Sequence, residues 1–162
     1  MGEDRGHRSG RLARARTATL AGLGLTLALA PGVVAGGATV TRGDFSAFAT
    51  GAGQPIAGAA VMVRTADGKT IVAVHVEGLA AGTTYGSHVH QLPCGTSEAD
   101  GHYKNDPAGP ATPPNEIWPG FTTNAAGIGN GNATVGWTAG AAAVSVVVHA
   151  PGGAKIACAD LA

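Results

Sequence analysis

Ala66-Asp67-Gly68-Lys69, followed by Thr70-Ile71-Val72-Ala73-Val74-His75-Val76-Glu77, decides the fold. Strand side chains alternate between faces, so Val72, Val74 and Val76 share one face and Ala73, His75 and Glu77 the other. The Asp-Gly pair ahead of the strand supplies the positive φ of a hairpin turn. The same pattern recurs along the chain, with strand-like runs at Ala38–Phe48, Ala57–Thr65, Thr83–Gln91, Ile117–Thr123, Gly129–Thr138, Ala142–His149 and Ala154–Leu161. Turn residues bound each run, and Asn124-Ala125-Ala126-Gly127 reads as a second hairpin turn. Helix signals are nearly absent from this part of the chain. The expectation is an all-β domain, a Greek-key antiparallel β-sandwich or flattened barrel of about eight strands.

Ahead of these runs the composition changes. Arg5, Arg8, Arg11, Arg14 and Arg16 precede an apolar stretch from Thr17 to about Ala30, and Pro31-Gly32-Val33-Val34-Ala35 follows. A basic region, an apolar region and a small-residue site in that order predict a signal peptide over residues 1–35, cleaved after Ala35. The apolar stretch is interrupted by Gly and Pro and falls short of a membrane span, so no stable membrane insertion is expected after cleavage. The expected location is secreted or extracytoplasmic, in the cell envelope or periplasm. The full chain has 10 basic and 10 acidic residues, and removing residues 1–35 takes five Arg, Glu3 and Asp4, which leaves a net charge of −3. That balance argues against nucleic acid as a partner. Residues 36–162 suit one domain with one core.

Leu92 to Glu116 breaks the strand rhythm, with no periodicity and many Pro, Gly, Asp, Ser and Asn residues. Loops of this length in compact domains are functional or disordered. The chain has two cysteines, Cys94 in this loop and Cys158 near the end. An even count in an exported protein points to a disulfide, and two cysteines allow one intramolecular pairing. Two free thiols and a Cys₂His₂ zinc site are the alternatives, the latter weakened because neither cysteine lies in a Cys-x-x-Cys pair.

Six histidines remain to be weighed. His7 falls in the signal segment, and His75 shares the wetter face of its strand. His88 and His90, in Gly86-Ser87-His88-Val89-His90-Gln91, are separated by one residue. On a strand they point to one face, placed side by side to grip one metal ion. His102 lies in the polar loop, and His149 ends the run Val144-Ser145-Val146-Val147-Val148. Imidazole suits copper, and copper tops the divalent affinity order.

Together these residues resemble the copper/zinc superoxide dismutase family. The family's Gly-x-His-x-His matches Gly86 to His90, and its loop Cys with a following Gly-x-His matches Cys94 and Gly101-His102-Tyr103. Its Val-Val-His matches Val147-Val148-His149, and its basic-x-Ala-Cys resembles Lys155-Ile156-Ala157-Cys158. The resemblance runs from about Ala57 to the end of the chain. It implies that His88, His90, His102 and His149 bind copper and that Cys94 pairs with Cys158.

Departures from the family narrow the expectation. The loop histidine of the family bridges to a zinc ion completed by two more histidines and an aspartate, and between His102 and Ile117 this chain has no further histidine. Asp106 and Glu116 are the only carboxylates there, a poor zinc set. The family's long charged loop between His149 and Cys158 is also missing. The chain thus resembles the zinc-free, copper-only branch. A metal-bound histidine usually gives its other ring N–H to a carboxylate or carbonyl, so Glu116, with Asp106 as second choice, is expected to orient His102. Lys155 stands where the family has an active-site arginine, keeping the charge that attracts an anion without Arg's planar fork. The expected function is a copper-dependent superoxide dismutase acting on superoxide, with Lys155 and Glu116 as its catalytic residues beside the four histidines. The rival expectation is a non-catalytic extracellular copper-binding or storage module on the same fold.

Overall fold

A computed structural model of the chain describes residues 1–2, 34–35 and 37–162. The expected signal segment, apart from residues 1–2 and 34–35, lies outside the described residues. The strands are β1 (Val34–Ala35), β2 (Ala38–Asp44), β3 (Ser46–Ala47), β4 (Ala57–Arg64), β5 (Thr70–Glu77), β6 (Thr84–His90), β7 (Phe121–Thr122), β8 (Gly129–Val135), β9 (Ser145–His149) and β10 (Lys155–Asp160). They form two antiparallel sheets, in the orders β1-β2-β4-β5-β8 and β3-β10-β9-β6-β7. The architecture is a β-sandwich with open edges, so the flattened barrel is not closed. The chain crosses between sheets repeatedly, and β6 and β9, neighbours in space, are far apart in sequence.

The alternation in β5 is realised: Thr70, Val72, Val74 and Val76 are buried, while Ile71, Ala73, His75 and Glu77 face outward. The Asp-Gly turn forms as expected, with Gly68 at φ 83° and Thr65 and Lys69 closing the hairpin. Met62, Val72, Val76, Val89, Val146, Val148 and Ile156 fill the space between the sheets. Each such side chain contributes about 1.5–3 kcal/mol when fully buried.

Three expectations need correction. Ala38–Phe48 is two strands, β2 in one sheet and β3 in the other: Phe45 N–H carries the β2–β4 ladder one step further to Gly58 O, its side chain turns into the core, and Ser46–Ala47 then pair with β10 of the other sheet. The expected strand Ile117–Thr123 is reduced to β7, since Pro119 cannot donate to a ladder. The turn Asn124–Gly127 forms, with Asn124 N–H on Ile128 O, yet β7 and β8 enter different sheets and make no hairpin.

Candidate metal centre

The histidines sit on the outer face of the sheet containing β6, away from the inter-sheet core. In β6, Tyr85, Ser87 and Val89 are buried toward the core, which turns His88 and His90 to the opposite face. Register then places β9 beside them, with His88 opposite Val147 and Gly86 opposite His149. Paired residues share a face, so His149 joins the first two imidazoles. β10 continues the face, with Lys155 opposite His149 and Cys158 opposite Val147.

The backbone of Val89, between the two histidines, brings in the rest. Its C=O accepts Tyr103 N–H at 2.8 Å, and its N–H donates to Ile117 O at 3.1 Å. The first bond delivers His102, next to Tyr103; the second delivers Glu116, next to Ile117. Gly131 makes the second docking possible, because a Cβ there would stand 2.1 Å from Pro119 O. The loop from residue 92 onward is tied down by the Cys94–Cys158 disulfide, by Ser145 Oγ on Leu92 O and by Cys94 N–H on Asp160 Oδ1. The disulfide expected from the resemblance is present, and disulfides persist in oxidising compartments.

His88, His90, His102 and His149 each offer one ligand atom, all within 4.8 Å of one another. Hydrogen bonding settles which atoms these are. His90 Nδ1 lies 3.0 Å from Asp100 O, and His149 Nδ1 lies 3.0 Å from Gly153 O. A carbonyl only accepts, so both rings carry their proton on Nδ1. His102 Nδ1 donates to Glu116 Oε2 at 2.7 Å. Three Nε2 atoms therefore turn inward, and the fourth inward atom is His88 Nδ1, which is buried without a hydrogen-bond partner.

Burial keeps His88, His90 and His149 neutral. Burial, then the neighbouring imidazoles, pushes His88 and His90 down to about 3. His149 is lowered as well, chiefly by burial. Neutral His90 and His149 face each other through Nε2 lone pairs only 3.4 Å apart. Neither has a proton to share there, so a cation between them relieves the repulsion. An unpartnered buried nitrogen and converging lone pairs are what a metal ion satisfies. The residues fit one metal ion. Among the described residues the other cluster of metal-binding residue types is Cys94, Cys158 and Asp160, whose sulfurs are already paired.

Of the two carboxylates named from the sequence, Glu116 meets His102. Asp106 does not: its Oδ1 accepts Ala108 N–H inside its own loop. Lys155 Nζ donates to Glu98 O at 2.8 Å and Asp100 O at 2.7 Å. Asp100 O is thus shared by Lys155 and His90, and the charge of Lys155 helps to lower His90 and His149. Sequence reasoning missed Trp118, whose indole lies 4.9 Å from His88 between ring centroids and whose Nε1–H donates to Glu116 Oε2. Its spacing of two from Glu116, across apolar Ile117 at the start of an expected strand, was the available signal.

Comparison with models of known protein families and with curated proteins finds no match to this chain. Among the described residues no helix is long and apolar enough to cross a membrane.

Proposed function

We propose that the protein is an exported, copper-dependent superoxide dismutase of the copper-only kind. One observation carries the reading: three Nε2 atoms and one Nδ1 atom converge while every opposite N–H with a partner is held by a carbonyl or carboxylate. Four imidazoles suit copper. The nitrogen of His102 that would bridge to a second metal donates to Glu116 instead, which supports a site for copper without zinc.

Copper bound there supplies one-electron chemistry, oxidising one superoxide to dioxygen and reducing another to hydrogen peroxide. The chain's own groups set access, charge and protons. His102 has a side chain 28% exposed, against 2% for Glu116, so solvent reaches it, as it reaches half-buried His88. A proton taken up at His102 Nε2 leaves an imidazolium paired through Nδ1 with Glu116. Lys155 places a positive charge beside His90 and His149, attractive to a small anion. Two of its N–H groups hold the loop carbonyls, so it serves as a fixed charge more than as a reaching arm.

Loading the purified protein with copper and following superoxide decay by pulse radiolysis tests the proposal. Fast decay that depends on copper supports it. Stoichiometric copper binding without turnover replaces it with a copper-binding module, and no copper binding removes the metal centre altogether. Glu116→Ala retaining full copper occupancy and full turnover would exclude Glu116 from the machinery.

A further inference from the structure

An indole more than a third exposed can give its N–H to water. Trp118, 37% exposed, instead donates to Glu116, which is 2% exposed, at 2.6 Å. The acceptor is Oε2, the oxygen that also takes the His102 Nδ1–H. Glu116 and Trp118 reach the same side because Ile117 between them is buried in the core. The indole then lies against His88, with ring planes 51° apart, and stands edge-on to His102 at 6.4 Å and 83°. One side chain thus touches both the carboxylate that orients one histidine and the ring of another.

We infer that Trp118 is a positioning residue of the metal centre: its N–H pins Glu116 Oε2 beneath His102, and its ring backs His88. This rests on reading the four histidines as a metal centre. A carboxylate has two equivalent oxygens on a soft terminal torsion. One donor leaves it free to swing or exchange oxygens, whereas two donors on one oxygen select a single orientation. Fixing that oxygen fixes the ring plane of His102, and with it the direction of the Nε2 lone pair toward the other three ligands.

Two substitutions separate the parts of the role. Trp118→Phe keeps a ring over His88 and loses the N–H, and Trp118→Ala loses both. Because Trp118 is at the surface, a thermal melt of each variant checks that the sandwich is intact. The first readout is hydrogen exchange of the His102 Nδ1 proton, followed by nitrogen–proton NMR on the metal-free protein. The second is the Cu(II) dissociation constant, measured by competition with a chelator. Exchange is expected to quicken in both variants, with Cu(II) affinity lower by about ten-fold in Trp118→Phe and by more in Trp118→Ala. Unchanged exchange in Trp118→Phe overturns the pinning role, whatever copper does. Quicker exchange with unchanged Cu(II) affinity overturns its link to the metal. Failure of the wild-type protein to bind copper overturns the metal-centre reading instead, and the exchange readout still decides the pinning.

Discussion

Glu116→Gln is the most direct probe of how the second layer tunes the first. The carboxylate accepts two hydrogen bonds on Oε2, from His102 at 2.7 Å and from Trp118 at 2.6 Å. Hydrogen bonds to a charged group contribute about 1.5–3 kcal/mol net, and neutral ones about 0.5–1.5. A carboxamide oxygen still accepts, so the substitution loses the charge assistance, about 1 kcal/mol per donor. The charge it removes is almost wholly buried, and relief of that desolvation offsets much of the loss. Folding stability should therefore change by less than about 1 kcal/mol, since the two effects oppose. Metal affinity has no such offset, because the imidazole of His102 becomes a weaker donor when its N–H faces a neutral oxygen. Partners of metal-bound histidines are worth about 10–100-fold in affinity, and a loss of about 1 kcal/mol, about five-fold, places this conservative variant just below that range. Chelator competition for Cu(II) at neutral pH, paired with urea unfolding of the metal-free protein, reads both quantities. Unchanged affinity together with a stability loss above about 3 kcal/mol would refute the reasoning, since that pattern belongs to a purely structural buried acid.

Acid should destabilise the metal-free protein specifically below about pH 6.5. His88 and His90 are held near 3 in the fold, so between those limits the unfolded chain binds more protons and stability falls as pH falls. After solvent screening, a slope on the order of 1–2 kcal/mol per pH unit is expected in urea unfolding, and a flat profile from pH 6.5 down to pH 4 contradicts it. Cu(II) should raise the melting temperature in proportion to the logarithm of free metal over its dissociation constant, an effect that His88→Ala should largely abolish in scanning calorimetry. Replacing both Cys94 and Cys158 by Ser opens a crosslink of sequence separation 64 and should cost about 4 kcal/mol, with the cost visible in denaturant midpoints. Lys155→Met should slow copper-dependent superoxide decay and flatten its dependence on ionic strength, while Lys155→Arg restores both; equal rates in all three proteins would remove Lys155 from substrate attraction.

The sandwich was legible because its signal is local. Val72, Val74 and Val76 alternate with outward residues, and Asp67-Gly68 marks the turn, without reference to anything distant. Strand ends were less legible. Whether Phe45 continues β2 or ends it depends on a core pocket supplied by other strands, and Pro119 shortens a run that composition alone made continuous. The four histidines were visible through their order and spacing, whereas Glu116 and Asp106 stood out only as the loop's carboxylates between His102 and the next strand, with Asp106 the nearer in the chain. What separates those two acids is Asn115: its side chain bonds Asp106 N, Asp106 O and Pro110 O, folding Asp106 into a closed loop and leaving Glu116 to enter the site. The carbonyls of Asp100 and Gly153 were invisible, since every residue has a carbonyl and the fold alone determines where it points. Trp118 was hidden for a similar reason. A tryptophan in an expected strand reads as ordinary packing until its N–H is seen to end on a buried carboxylate.

The convergence of lone pairs says why the loops around this site are so firmly held. Without a cation, His90 and His149 oppose each other at 3.4 Å, and His88 Nδ1 is buried without a partner. Such an arrangement relaxes if the rings can turn, and those of His90 and His149 are prevented from turning by the bond on the far side. Those bonds come from irregular backbone: Asp100 ends a turn in which Ser97, Glu98, Ala99 and Asp100 all have positive φ, and Gly153 follows Gly152, also at positive φ. Left-handed conformations in non-glycine residues are costly and persist where surrounding structure over-determines them. Here the restraints are Lys155 bonding two carbonyls of that turn and the disulfide anchoring its entry. The stored cost lies in the loops, while three of the four histidines stand on rigid strands and the loop histidine His102 is held by Glu116, so the site is preorganised before any ion arrives. The energy of metal binding then goes into relieving repulsion instead of ordering the protein, which favours tight binding with little conformational change.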